Sequence, residues 1–363
     1  MMKTLFAFLL SLYTANVFAA YGGNIGAHDD RVYSSLADQN YRGVVRFFDK
    51  HGTFCTGTFI TKNLVLTNSH CALLCKNGCA IEFYNGSEYE KSNLKIVAYY
   101  ENFEVLAGND WALLVSDKES KFFVPVVSRT TNGSVLAGGF GMLRIIKDEE
   151  IPFLKKLYVE TDKEFRSECK KEQIYYACIN KHVEKKLKDM GRKPLFNDGE
   201  NFKIQNCKIT GSHPKSQNMI KTDCDAAGGN SGGGLLRNKQ LVGLVNSVVM
   251  DVFYEEDEVS GATGLKTENF YNNSQKYIKK YEQSSVTGNN NNDSGGNNSS
   301  NQQPSKPNTN SNNSNSGGNN SSNQQPSKPN TNNNNNDTSG QMYDDPQKIE
   351  EILQQKLQDF NCD

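Results

Sequence analysis

The sequence predicts an all-β protein of two antiparallel six-stranded barrels, a closing C-terminal helix and a disordered tail. Three observations carry this expectation. From Tyr41 onward, short β-rich runs alternate with turn clusters and leave little room for helices between them. From Thr267, the apolar residues Phe270, Tyr277, Ile278 and Tyr281 fall at helical spacing. After Glu282 the composition turns abruptly to Asn, Ser, Gly, Gln and Pro. At 363 residues the chain has room for a two-lobed domain with appendages, at about 150 residues per domain. Its formal net charge of −1 implies neither a nucleic-acid partner nor an acidic substrate.

The chain opens with Lys3, an apolar run from Leu5 to Leu12, and Val17-Phe18-Ala19 before Ala20. This predicts a signal peptide over residues 1–19 with cleavage after Ala19. The apolar run is too short to span a bilayer, so no membrane span and a secreted or periplasmic protein are expected. A folded domain then covers residues 20–282. In its first half, Arg42–Phe48, Thr53–Ile60, Asn63–Thr67, Ile81–Tyr84, Leu94–Tyr99 and Trp111–Val115 read as strands, with a turn at Asn85-Gly86. A second set comprises Ser134–Phe140, Leu154–Glu160, Lys203–Thr210, Met219–Thr222, Gly233–Leu236, Leu241–Val249 and Gly261–Lys266. Glu164 to Asn197 is charged and reads as a helical or loop insertion. Its run Lys181-His182-Val183-Glu184-Lys185-Lys186-Leu187-Lys188 is either a solvated helix face or a basic exosite for acidic substrates.

Residues 283–340 predict a flexible linker, since too little apolar surface is present to offset the entropy of ordering it. Its Ser294–Asn308 stretch recurs as Ser316–Asn330. Residues 341–363 predict a short amphipathic helix, with Ile349, Ile352, Leu353, Leu357 and Phe360 on one side after Pro346. It would dock or fray, and through Cys362 it could reach a partner. Nine cysteines suit an oxidising compartment. Cys207 and Cys224 bracket a hairpin-like stretch and are expected to pair. Cys75 with Cys79 and Cys169 with Cys178 are local pairs whose bonding the spacing leaves open. No second ligand pair lies near Cys75 and Cys79, so no metal site is expected.

Three stretches carry chemistry. Gly228-Gly229-Asn230-Ser231-Gly232-Gly233-Gly234 sets one serine among glycines, which give backbone room and N–H groups that can face a developing oxyanion. Thr67-Asn68-Ser69-His70-Cys71 ends an apolar run with a histidine, a base that titrates in the useful range. Asp110-Trp111-Ala112-Leu113-Leu114 opens another run with a carboxylate able to orient that histidine. In this order and form the three resemble the motifs of the chymotrypsin-like (trypsin-fold) serine peptidases, T-A-x-H-C, D-x-A-L-L and G-x-S-G-G. The likeness spans roughly residues 24 to 282. Asp29-Asp30-Arg31, Asp110-Trp111-Ala112-Leu113 and the string from Cys224 to Ser231 are similar to the bacterial secreted branch that includes the glutamyl-endopeptidase-like enzymes.

The resemblance implies a serine endopeptidase acting on proteins or peptides through an acyl-enzyme, with no metal or organic cofactor. His70, Asp110 and Ser231 would be catalytic, with Gly229 and Ser231 forming the oxyanion hole. It also implies a Cys55–Cys71 bridge beside the histidine. Asp225, six residues before Ser231, matches the base of the trypsin specificity pocket and would select Lys or Arg. Two departures stand out. Asn230 replaces the aspartate that pairs with a new N-terminus in trypsin-like zymogens, and Val245-Asn246-Ser247-Val248 lacks the usual Ser-Trp-Gly wall. Val245 also stands where glutamyl-selective relatives have a histidine. The alternative reading is a non-catalytic binding or surface-attachment protein on the same scaffold.

Overall fold

The computed structural model describes residues 23–24, 28–50, 52–75, 78–101, 103, 107–170, 175–214, 216–246, 262–287 and 342–343. The expected signal peptide, nearly all of the linker and the C-terminal helix lie outside the described residues. Two short strands, β1 (Gly23–Asn24) and β2 (Val32–Tyr33), come first. The first barrel follows: β3 (Val44–Asp49), β4 (Gly52–Phe59), β5 (Leu64–Thr67), β6 (Ala80–Tyr84), β7 (Tyr89–Tyr100) and β8 (Ala112–Ser116). Its order is β7-β6-β3-β4-β5-β8, and the β7–β8 ladder closes it. All pairings are antiparallel.

The second barrel is built from β9 (Gly133–Gly139), β10 (Lys203–His213), β11 (Ser216–Thr222), β13 (Gly234–Arg237), β14 (Gln240–Val245) and β15 (Thr263–Lys266). The β10–β11 ladder closes it. Between β11 and β13 lies β12 (Ala226–Ala227), which pairs with β1 through Gly23↔Ala227 and Asn24↔Ala226. β2 adds to β10. A last strand, β16 (Met342–Tyr343), adds to β7 opposite Tyr100 and Tyr99.

Each barrel hides one face of its strands. Along β10, Lys203, Gln205, Cys207 and Ile209 are buried while Asn206 and Lys208 are exposed, the period-2 alternation of a strand with one wet side. The largest core lies between the barrels, where Leu64, Leu66 and Trp111 meet Phe140, Leu236 and Leu244. A short helix α1 (Ser69–Leu74) follows β5, and the terminal helix α4 (Tyr271–Thr287) seals this shared core with Tyr277. Phe270 at its start is fully buried beside Trp111, with ring centroids 6.2 Å apart. Burying one such side chain contributes roughly 2–3 kcal/mol.

The insertion between β9 and β10 is a helical hairpin, α2 (Ile151–Cys169) and α3 (Tyr175–Asp189). This corrects the strand expected at Leu154–Glu160, which lies inside α2. Ile151, Leu154, Leu157 and Thr161 recur every three or four residues and form its buried face. Ile151, Leu154 and Leu157 pack with Ile179, Val183 and Leu187 of α3 in a separate core that also takes in Ala227 of β12. His70 likewise lies in α1 rather than at a strand end. Disulfides join Cys55–Cys71, Cys75–Cys79, Cys169–Cys178 and Cys207–Cys224. Among the described residues, no helix is long and apolar enough to cross a membrane.

Candidate active site

The first barrel brings His70 and Asp110 together. Asp110 precedes β8 and is fully buried; His70 follows β5 and is 9 % exposed. The His70 backbone N–H donates to Asp110 Oδ1 at 3.0 Å, and its ring Nδ1 meets Asp110 Oδ2 at 2.7 Å. A carboxylate accepts and does not donate, so the ring donates through Nδ1 and Nε2 is left as the acceptor. The two residues before His70 reinforce this register. Asn68 stands at the N-cap of α1 but turns its amide to the Asp110 carbonyl, at 2.8 Å. Ser69 Oγ donates to Trp111 O at 2.6 Å and accepts the Tyr100 N–H at 3.0 Å. Phe103 flanks the imidazole, with ring centroids 5.9 Å apart.

The second barrel supplies Ser231, buried in a turn between β12 and β13. The turn is closed by its own amides. Asn230 N–H donates to Ala227 O at 2.9 Å, and Asn230 Oδ1 accepts the Ala227 N–H at 2.9 Å. Gly229 has φ +97°, and a Cβ there would collide with the Phe140 carbonyl. Gly141 likewise leaves the space that Asn230 Oδ1 occupies. Among the described residues, the N–H groups of Gly229 and Ser231 make no hydrogen bond, while their carbonyls are taken: Thr56 Oγ1 donates to Gly229 O at 2.7 Å and Thr56 N–H to Ser231 O at 2.9 Å. Ser231 O also lies 3.7 Å from Cys71 Sγ. The serine backbone is therefore docked on β4 and on the residue next to His70.

Three long-range attachments hold this turn. Met142 N–H donates to Gly228 O at 2.6 Å, and the Phe140 N–H donates to Thr56 Oγ1 at 3.0 Å. From β10, Gln205 pairs with both backbone groups of Asp225, donating to its carbonyl and accepting its N–H. Two residues earlier, Lys203 donates to the carbonyls of Gly141 at 2.7 Å and Asp198 at 2.9 Å, and pairs with the Asp198 carboxylate at 2.9 Å. The N-terminal segment completes the set. Arg31, 3 % exposed, forks onto Asp29 and donates to Leu143 O and Arg144 O. Asp225 Oδ2 accepts the Asp30 N–H at 3.0 Å.

Burial pushes the Lys203 ammonium down to about 8, against the opposing pull of Asp198. Burial pushes Asp198 up, but hydrogen bonds from Asn201 and Lys203 outweigh it and leave its carboxyl below the usual range. Asp225, the expected pocket base, is 5 % exposed and lines a cavity of about 10 Å³ with Arg31, Lys203, Gln205 and Asn230; that is room for roughly one water. Cys55, His70 and Cys71 sit close enough to ligate an ion, but both sulfurs are bonded to each other and offer no thiolate.

Lys203, Gln205, Thr56 and Asn68 are site-building residues that the sequence reading passed over. One signal was available for two of them. Cys207 is half of a buried disulfide, and in a strand residues two and four places earlier share its face. Lys203 and Gln205 therefore had to point inward and find polar partners.

Among curated proteins, none matches the chain. The family profile described as Trypsin-like peptidase domain matches residues 55–244, from the first cysteine of the Cys55–Cys71 bridge into β14. That match covers more than half of the chain, and with the two closed antiparallel barrels it identifies this protein as a member of the trypsin-like peptidase family.

Proposed function

We propose that this trypsin-like peptidase is an exported serine endopeptidase in which Ser231 is the nucleophile, His70 the general base and Asp110 the residue that orients the imidazole. The observation that carries this reading is the junction itself. His70 is held by Asp110 from the first barrel, while the Ser231 carbonyl rests on Thr56 and beside Cys71. As Ser231 Oγ attacks a peptide carbonyl carbon, His70 Nε2 takes the hydroxyl proton and passes it to the leaving amine. Water then attacks the acyl-enzyme by the same route in reverse. The Gly229 and Ser231 N–H groups would bind the oxyanion, at roughly 3 kcal/mol per donor. Four disulfides favour a secreted or periplasmic site of action.

Asn230 bears on activation. Its side chain closes the serine turn from within, so the turn does not depend on an ion pair with a newly cut N-terminus. Membership of the glutamyl-endopeptidase-like branch rests on the Asp29-Asp30-Arg31 opening and the Cys224–Ser231 string. For Asp225, the bond from Asp30 and the nearby Arg31 and Lys203 support a fastening role over selection of Lys or Arg. Peptide-library profiling of Asp225→Ser tests this: unchanged P1 preference with lower stability is expected, and loss of a basic preference would restore the selector role. The catalytic reading is tested by Ser231→Ala, which should abolish peptide and ester hydrolysis with folding intact. Near-wild-type turnover in the variant would overturn the nucleophile assignment, and no hydrolysis by folded wild-type protein would favour a binding protein on a peptidase scaffold.

A further inference from the structure

The helical hairpin between β9 and β10 is not needed to build either barrel, yet the basic side chains of α3 are sorted. Those facing α2 are paired: Lys186 reaches Glu164 at 2.6 Å, and His182 meets Glu168 at 3.3 Å. Those facing outward are not. Lys181, Lys185 and Lys188 are exposed, and among the described residues none has a carboxylate partner. Their spacing of four and three places them on one narrow face of α3, with Arg192 continuing the row just beyond the helix. Like charges in such a row weaken a helix. Glu160, Asp162, Glu164 and Glu168 are at hand on the same hairpin, but they serve other basic side chains.

The row borders a groove of about 720 Å³ that Pro194 also lines. The groove's one carboxylate, Glu184, is turned away, accepting the N–H groups of Leu195 and Phe196 at 2.6 and 3.1 Å. The groove therefore presents cations with no free acid in its lining, and the exposed Asp189 lies at the end of the row, outside the groove. Its position also matters. The hairpin's core takes in Ala227, whose carbonyl closes the serine turn, and Met142, nine residues before α2, holds Gly228 O of that turn through its N–H.

We propose that this face of α3 is an exosite that holds acidic stretches of polypeptide substrates beside the Ser231 turn. The inference rests on the peptidase reading above. Successive lysines of the row rise about 6 and 4.5 Å along the helix, spacings that their long side chains can widen to the roughly 7 Å between carboxylates on alternate residues of an extended peptide. Aliphatic lysine stems and Pro194 give the groove an apolar floor suited to the side chains between them.

The test separates binding from catalysis. A fluorescent peptide with glutamate at alternate positions is titrated by anisotropy onto the full chain. The same is done with the Lys181→Gln/Lys185→Gln/Lys188→Gln variant and with single Lys185→Glu. Wild-type binding that weakens about tenfold in the triple variant, and falls with added salt, is expected. This readout stands even if the protein proves not to hydrolyse peptides. In a second arm, kcat/KM is compared for one cleavable peptide with and without the glutamate tract. The tract should raise it severalfold in wild type, and the ratio should fall toward one in both variants. Equal peptide affinity in wild type and variants would overturn the proposal. So would a sulfated oligosaccharide that binds the row while the acidic peptide does not.

Discussion

The two halves of the candidate site are held in different ways. His70 and Asp110 are fixed within one barrel, by four hydrogen bonds among residues 68–70 and 110–111. The Ser231 turn draws its support from far along the chain: Thr56, Phe140–Met142, Lys203, Gln205 and the N-terminal segment. The first half is a local lock. The second is a suspended loop whose geometry depends on several partners at once. Substitutions near His70 should therefore act on chemistry, while substitutions around Ser231 should act on chemistry and stability together.

The largest effect is expected from Asp110→Asn. The amide would favour the wrong imidazole tautomer, and kcat should fall about 10⁴-fold with little change in the unfolding midpoint. A loss of under tenfold would show that His70 does not need Asp110 as orienter. Gly229→Ala comes next. A Cβ at φ +97° would press on the Phe140 carbonyl and shift an oxyanion donor, so kcat should drop about 10²–10³-fold. Here the unfolding midpoint should drop too. An activity loss without destabilisation would erase the contrast drawn between the halves.

Lys203→Met should have the smallest effect on turnover at neutral pH and the clearest pH signature. Because burial depresses Lys203 from 10.5 to about 8, the folded protein releases its proton before the unfolded chain does. Between those values the unfolded state holds more protons, so stability attributable to Lys203 rises with pH. Below pH 8 that contribution is flat. Denaturant unfolding at pH 7.5 and 10 is expected to show the wild type gaining on Lys203→Met at the higher pH. A constant difference would mean that this lysine is not held down by burial.

The parts of this site that chemistry fixes locally were legible in the sequence, and the parts fixed at a distance were not. A nucleophilic serine, its base and its orienter need particular residue types in short contexts, and His70, Asp110 and Ser231 stand in such contexts. The supports of the serine turn carry little local signature: spacing from Cys207 marks Gln205 as inward-facing, but nothing local names Asp225 as its partner. Arg31 reads as a surface charge until the Asp29 fork and the Leu143 and Arg144 carbonyls enclose it. The mistaken strand at Leu154–Glu160 has a similar origin. Over seven residues the run Leu-Lys-Lys-Leu-Tyr-Val-Glu fits a short strand, and only the longer Ile151–Thr161 window reveals the helical period.

In the proposed mechanism two differently held halves meet to activate one serine. An active-site-directed fluorophosphonate tests it most directly, because it reacts only with a serine whose proton is taken and whose oxyanion is bound. Wild-type protein is labelled, digested and mapped by mass spectrometry, alongside Asp110→Asn and Gly229→Ala. The account predicts a single adduct on Ser231, formed far more slowly in both variants. No adduct on folded wild-type protein, or an adduct on another residue, would contradict it.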